Sequence, residues 1–189
     1  GSRKLRLNYR TTEAIRRAAM DLLDGVPLDA FDAPADDLGP AATASTSHPS
    51  AGHPSVGQAT TQALDGYRSL RPGQPVERLV FPDLEAEADH LAALARTNGA
   101  PKPLLLLLVT SNAEAQALVE RLEARALHPK RLDPTDLPTD EDTLLVSTFH
   151  RSKGLEAPWV VLVRPNTTEK SRRAVFVGMT RARDRVWVV

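Results

Sequence analysis

The stretch from Val146 to Val163 reads VSTFHRSKGLEAPWVVLV. Between two apolar runs it sets Thr148, His150, Arg151, Lys153 and Glu156 around one glycine, Gly154. A bare connection between strands needs only a few turn residues. Lys153 and His150 can contact phosphate, Thr148 can donate a hydroxyl, and Glu156 accepts the hydrogen bonds that sugar hydroxyls offer. Gly154 permits a positive φ or close backbone approach to a ligand. The competing reading is an ordinary solvated connection.

Two further segments carry chemistry. In LRLNYRTTEAI (Leu5–Ile15), Tyr9 and Arg10 stand just before a helical pattern. A flat ring beside a guanidinium suits a nucleotide, the ring stacking on a base and the fork reaching phosphate. Tyr9 in the core and Arg10 in a surface ion pair would suit the same segment. In AVFVGMTRARDRVWVV (Ala174–Val189), Arg181 and Arg183 fall near the end of an apolar helical pattern in which Val175, Phe176, Met179 and Ala182 face a core. Positions two apart on a helix point in different directions, so the two arginines are expected to do different work.

The elements that must position these groups follow from periodicity. Apolar residues at Ala14, Ile15, Ala18, Ala19, Leu22 and Leu23 predict an amphipathic helix over 12–23, capped by Thr11 or Thr12. Val76–Phe81 reads as a strand, Asp83–Thr97 as a helix with acids in its first turn, and Pro103–Thr110 as a buried parallel strand. Asn112–Leu127 reads as a helix capped by Asn112. The short PKRL, then Thr143–Thr148 and Pro158–Val163, read as strands. Glu169–Arg183 reads as a helix and Arg185–Val189 as a closing strand. This alternation predicts an α/β domain with a mainly parallel sheet and helices on both faces. Ligands of such sheets sit at the carboxyl ends of the strands, where the turn after Val146 begins.

Residues 27–62 are rich in Ala, Ser, Thr, Pro, Gly and Asp and predict a long, partly disordered surface loop. His48 and His53 lie in it with no third ligand close by, so no metal site is expected. The 189 residues suffice for one sizeable core, read as a single domain over 1–189. Gly1-Ser2 reads as a cloning remnant of a piece cut from something larger. Cysteine is absent and no apolar run approaches the length of a membrane span, so no membrane association and a cytoplasmic location are expected. Net charge is zero, but residues 1–20 hold six Lys/Arg against one acid and residues 150–189 nine against three. If the two ends meet in space, a basic face forms on a neutral protein.

Taken together and in order, the three segments resemble the C-terminal, RecA-like motor domain of UvrD/Rep-type (superfamily 1) DNA helicases. LNYRTT looks like helicase motif IV, STFHRSKGLEAPWVVLV like motif V, and VFVGMTRAR like motif VI; LLVTSNAEAQALVERL is similar to the strand and helix that follow motif IV. The resemblance implies a three-layer RecA-like fold that completes an ATP site against an N-terminal motor domain and grips single-stranded DNA. It implies that Tyr9 stacks on adenine and that Arg10 and Arg181 reach the γ-phosphate as catalytic cations. Glu156 would bind ribose, with Gly154 admitting the nucleotide. Thr148, His150 and Lys153 would face DNA, as would Thr110, Ser111 and Asn112 after the LLLLLV strand. Arg183 is the weaker candidate. The alternatives are a nucleic-acid-binding or protein-interaction module whose ATPase is lost, or the helicase part of a helicase–nuclease fusion.

The sequence also departs from that family. It holds no G-x-x-x-x-G-K-[ST] loop and no acidic pair after a buried strand. The phosphate cradle and the Mg²⁺ ligands are therefore expected on the N-terminal motor domain. The large helical insertion that often precedes motif V is absent, and Ala157 replaces the common aromatic after Glu156. The chain alone is expected neither to hydrolyse ATP nor to unwind DNA; phosphate release above background by the purified chain would overturn that.

Overall fold

A computed structural model describes residues 7–8, 10–23, 68–97, 104–133, 136, 139, 143–166 and 168–189. Tyr9, the 27–62 segment, and His48 and His53 within it lie outside the described residues. The elements in chain order are β1 (Leu7–Asn8), α1 (Glu13–Leu22), β2 (Arg68–Ser69), β3 (Glu77–Arg78), α2 (Leu84–Arg96) and β4 (Leu105–Val109). They continue with α3 (Asn112–Glu123), β5 (Lys130–Arg131), β6 (Leu144–Thr148), β7 (Ala157–Leu162), α4 (Glu169–Met179) and β8 (Ala182–Val188).

Six strands form one all-parallel sheet in the order β3-β8-β7-β4-β6-β5. The unbroken leucine run of β4 is explained by its place at the centre, where both faces are covered. Leu106 and Leu108 pack with Ile15 and Ala19 of α1 and Val175 and Met179 of α4. Leu105, Leu107 and Val109 pack with Leu91 and Ala92 of α2 and Leu118 and Leu122 of α3 on the other side. Successive side chains of a strand point to opposite faces, so one apolar run feeds two cores and the fold has three layers. Each buried leucine of β4 contributes roughly 2 kcal/mol. Trp159 and Trp187 meet edge to face at 5.5 Å beneath the second core.

Local chemistry sets the helix starts. Asp83 caps α2 by accepting from the Ala86 amide at 2.7 Å. Ser111, rather than Asn112, caps α3: its side chain accepts from the Glu114 amide at 3.2 Å while the Glu114 carboxylate reaches back to the Ser111 amide. That capping box was written in the sequence as Ser-x-x-Glu.

The last helix stops earlier than its apolar pattern suggests. It ends at Met179, and residues 182–188 become β8, paired with β7 from Ala157↔Ala182 to Leu162↔Val188. The Thr180 hydroxyl donates to the Val177 carbonyl at 2.8 Å and the Ala157 amide to the Arg181 carbonyl at 3.0 Å. The parallel ladder thus claims backbone groups that a longer helix would have needed. Arg181 therefore sits on a turn and Arg183 in a strand, neither on the helix expected for them.

The start of α1 is held from outside the helix. Glu13 and Ala14 donate their amides to the carbonyls of Arg71 and Pro72 at 2.7 and 3.0 Å, and Thr12 caps the Ile15 amide at 3.4 Å. Gly73 lies so close that a Cβ there would come within 2.1 Å of the Thr12 Cβ, and its φ is +70°; only glycine fits. The Glu13 carboxylate takes Arg16 through Nε at 2.9 Å and Nη2 at 2.7 Å, and the Ser69 amide at 2.9 Å. The Arg16 hydrogen bonds, helped by Ser69 and Arg17 against the opposing effect of burial, lower its pKa from 4.5 to about 2.

A carboxylate with a depressed folded pKa adds stability that is complete above its unfolded value and fades as pH falls through the folded one. Replacing Glu13→Gln is therefore expected to cost on the order of 2 kcal/mol at pH 7. In urea unfolding the gap from the parent should narrow below half of that at pH 3 and close only below pH 2. A gap that does not change with pH would show that the carboxylate's charge is not what matters.

Candidate functional site

The register divides the candidate residues between two ends of the sheet. Val109 of β4 pairs with Thr148 of β6, whereas Leu105 pairs with Trp159 and Ala157 pairs with Ala182. The end of β6 thus stands six rungs above the start of β7, roughly 20 Å at 3.3 Å per residue. Segment 149–156 must run from the carboxyl edge of the sheet to its amino edge. The turn after Val146, expected to lie wholly at the carboxyl ends, begins at one edge and finishes at the other.

At the amino edge, Arg10, Glu156 and Arg181 come together from three places in the chain. Glu156 precedes β7, Arg181 precedes β8, and these strands are neighbours. Arg10 precedes α1, and its Nη1 lies 3.2 Å from Glu156 Oε1. Arg181 is half-buried, its Nε donating to the Val177 carbonyl at 3.0 Å and its Nη1 to the Leu155 carbonyl at 3.4 Å. Burial and, less strongly, the Arg10 guanidinium lower the Arg181 pKa, while Glu156 opposes them. A guanidinium stays charged at any ordinary pH, so two cations share one carboxylate here and the cluster carries a net positive charge. The described part of the basic N-terminal stretch meets the C-terminal one, as α1 packs on α4.

At the carboxyl edge, the turns after β4 and β6 lie side by side, the Phe149 amide donating to the Val109 carbonyl at 3.0 Å. Thr110, Ser111 and Asn112 are exposed, and so is His150. Thr148 is buried, and its hydroxyl accepts from the Arg151 amide at 3.4 Å. It shapes the turn and does not reach the surface. Ser152 is fully buried and bonds back to the Phe149 carbonyl at 2.7 Å. Phe149 fills the space over Gly178, where a Cβ would meet its ring at 2.8 Å. Beyond this tight turn Lys153 and Gly154 are exposed on the way to the other edge. Gly154 has φ +90° with open space where a Cβ would point, so backbone conformation, and not crowding, calls for glycine there.

Sequence reasoning missed the groups behind the first turn. One oxygen of Glu114 accepts from the amides of Thr110 and Ser111 at 3.0 and 3.2 Å and from the Thr110 hydroxyl. Burial pushes the Glu114 pKa up, but the Thr110 hydrogen bonds, the Arg164 charge and the Ser111 amide together outweigh it and the net shift is downward. The donors of Thr110 are therefore committed to a carboxylate, which leaves Asn112 as the outward polar group of that turn. Nearby, Arg164 at the end of β7 adopts φ +46° and approaches Glu87, a buried carboxylate, at 3.5 Å. Burial raises the Glu87 pKa, with Arg164 and Arg121 pulling the other way. Only the Ser-x-x-Glu spacing signalled any of this in advance. Among the described residues no group of three or more His, Cys, Asp or Glu could hold a metal ion, and no helix is long and apolar enough to cross a membrane.

Comparison with known proteins finds similarity to helicase domains. Residues 143–189 match the family model described as the UvrD-like helicase C-terminal domain; the match takes in the turn after β6, α4 and β8. The fold is similar to that of the C-terminal domain of a possible DNA helicase from Lactobacillus plantarum WCFS1. That match has a TM-score of 0.61 and 17% identity over 96% of this chain and 86% of that one. An arterivirus nonstructural protein 10 (helicase) in complex with DNA overlaps less, with a TM-score of 0.44 and 14% identity over 60% of this chain and 28% of that one. No curated protein matches the sequence significantly.

Proposed function

We propose that this chain is the C-terminal motor domain of an ATP-dependent DNA helicase or translocase, spanning 1–189 as one unit. What carries the reading is the meeting of Arg10, Glu156 and Arg181, residues far apart in sequence, at one edge of the sheet. Two guanidiniums beside one carboxylate suit a nucleoside triphosphate. The forks match phosphate oxygens, and the carboxylate suits ribose hydroxyls. In this reading Arg10 and Arg181 steady the charge that develops during phosphoryl transfer, an effect on the order of 10³–10⁵ in rate. Tyr9, adjacent to Arg10, supplies a ring for the base, and Gly154 supplies backbone at the approach. Mg²⁺ and the phosphate-cradling loop belong to a partnering N-terminal motor domain, which the chain's own residues do not replace.

Single-stranded DNA is assigned to the opposite edge, along His150, Lys153 and Asn112, with Thr110, Ser111 and Thr148 shaping the turns that present them. Segment 149–156 then links the two ligands. Thr148 and Ser152 anchor it at the DNA edge and Glu156 at the nucleotide edge. A change in how Glu156 is held can pass along six residues to His150, a coupling through one element that both sites bias.

In the full-length helicase, Arg181→Ala is expected to lower DNA-stimulated ATP hydrolysis at least 10³-fold while DNA affinity stays within a few-fold. Unchanged hydrolysis would remove Arg181 from the site. The double variant His150→Ala, Lys153→Ala is expected to weaken single-strand binding and flatten its dependence on salt concentration. An unaltered salt slope would move the DNA path elsewhere.

A further inference from the structure

The strap formed by residues 68–73 has no part in the site as described, yet it touches both elements that present the two arginines. On one side it closes the start of α1, three residues beyond Arg10. The Arg71 and Pro72 carbonyls take the first helix amides, Ser69 bonds the Glu13 carboxylate through its amide and the Thr11 carbonyl through its hydroxyl, and Gly73 presses on Thr12. On the other side, Arg71 reaches across to the start of β8, two residues beyond Arg181. Its Nη1 bonds Asp184 at 2.8 Å and its Nη2 the Arg183 carbonyl at 2.7 Å. The pairing of β2 with β1, Leu7↔Arg68 and Asn8↔Ser69, ties the strap to the chain leading into Arg10 as well.

We infer that residues 68–73 form a positioning strap that sets the spacing between Arg10 and Arg181, with Arg71 and Asp184 as its clasp. The inference rests on the nucleotide-side reading of those two arginines. The helix start cannot serve as an anion site itself, because its amides are already taken by strap carbonyls. Anion recognition at this edge falls to the two guanidiniums, and their separation decides whether one polyphosphate can engage both. The clasp is an exposed ion pair, 52% and 39% accessible. Such a pair adds little to overall stability, so breaking it should disturb spacing without unfolding the domain.

A plain field effect predicts the opposite sign. Asp184 is an acid near an anion site, and removing it should tighten anion binding if only charge matters. If the clasp matters, removal should loosen binding. The test titrates the chain with inorganic tripolyphosphate, followed by calorimetry or amide NMR shifts, with thermal unfolding recorded for each variant. Asp184→Ala and Arg71→Ala are each expected to weaken tripolyphosphate binding about tenfold, with melting temperatures within a few degrees of the parent. Arg71→Lys, which keeps the charge, should recover part of the loss. A double-mutant cycle between Arg10→Ala and Arg181→Ala should show coupling in the parent and near-additivity in the Asp184→Ala background.

Tighter binding by Asp184→Ala, or affinity and coupling unmoved by both clasp variants, would overturn the strap while leaving the two arginines in place. If Arg10→Ala and Arg181→Ala themselves leave tripolyphosphate binding unchanged, the nucleotide-side reading fails first and the strap has nothing to position.

Discussion

The constraint on which the rest of this structure depends is that, among the described residues, every strand pair is parallel. A parallel pair cannot be joined by a tight turn, so each connection must carry the chain from one edge of the sheet back to the other. Helices make that return between β3 and β4, between β4 and β5, and between β7 and β8. Between β6 and β7 only residues 149–156 do so, through two consecutive turns closed by the Ser152 amide on the Thr148 carbonyl and the Leu155 amide on the Ser152 carbonyl. The polar groups of this segment are spread along a crossing between the two edges of the sheet. This accounts for a density of charge that a simple turn would not need.

The electrostatics at the two edges differ in kind. At the amino edge the Arg10–Glu156 pair is open to solvent, with side chains 77% and 41% accessible. A pair so exposed is worth about 0–1 kcal/mol and can open readily to a competing phosphate. Arg181 beside it is held by two carbonyls and has less freedom to move. At the carboxyl edge the Glu114 carboxylate locks the first turn, and buried Glu87 with Arg164 stands behind it. That edge is rigid at its base and presents only a few outward groups.

Much of the fold was legible from periodicity because the core is built from it. The leucine run of β4 announced a strand covered on both faces, and the 3.6-residue spacing at Ile15 and Ala19 announced a helix with one buried stripe. The end of α4 was not legible. Val175, Phe176, Met179 and Ala182 keep a helical period up to the point where pairing with β7 takes over, and strand pairing is decided by partners far away in sequence. The cap of α3 was misassigned by one residue although its signal was local and complete.

For the site, residue identity could be read from three short segments, since the chemistry of Arg10, Glu156 and Arg181 belongs to the side chains themselves. Their grouping, the burial of Thr148 and the commitment of Thr110 to Glu114 could not. Sequence by itself determined the kinds of element, the class of sheet and the residues able to meet phosphate, because these follow from side-chain type and local spacing. Tertiary structure alone decided which of those residues share an edge and which strap holds them there. Register, crossing and clasp are set by contacts between segments separated in the chain, Ala157 with Ala182 and Val109 with Thr148 as well as the more distant Arg71 with Asp184, and no local pattern encodes them.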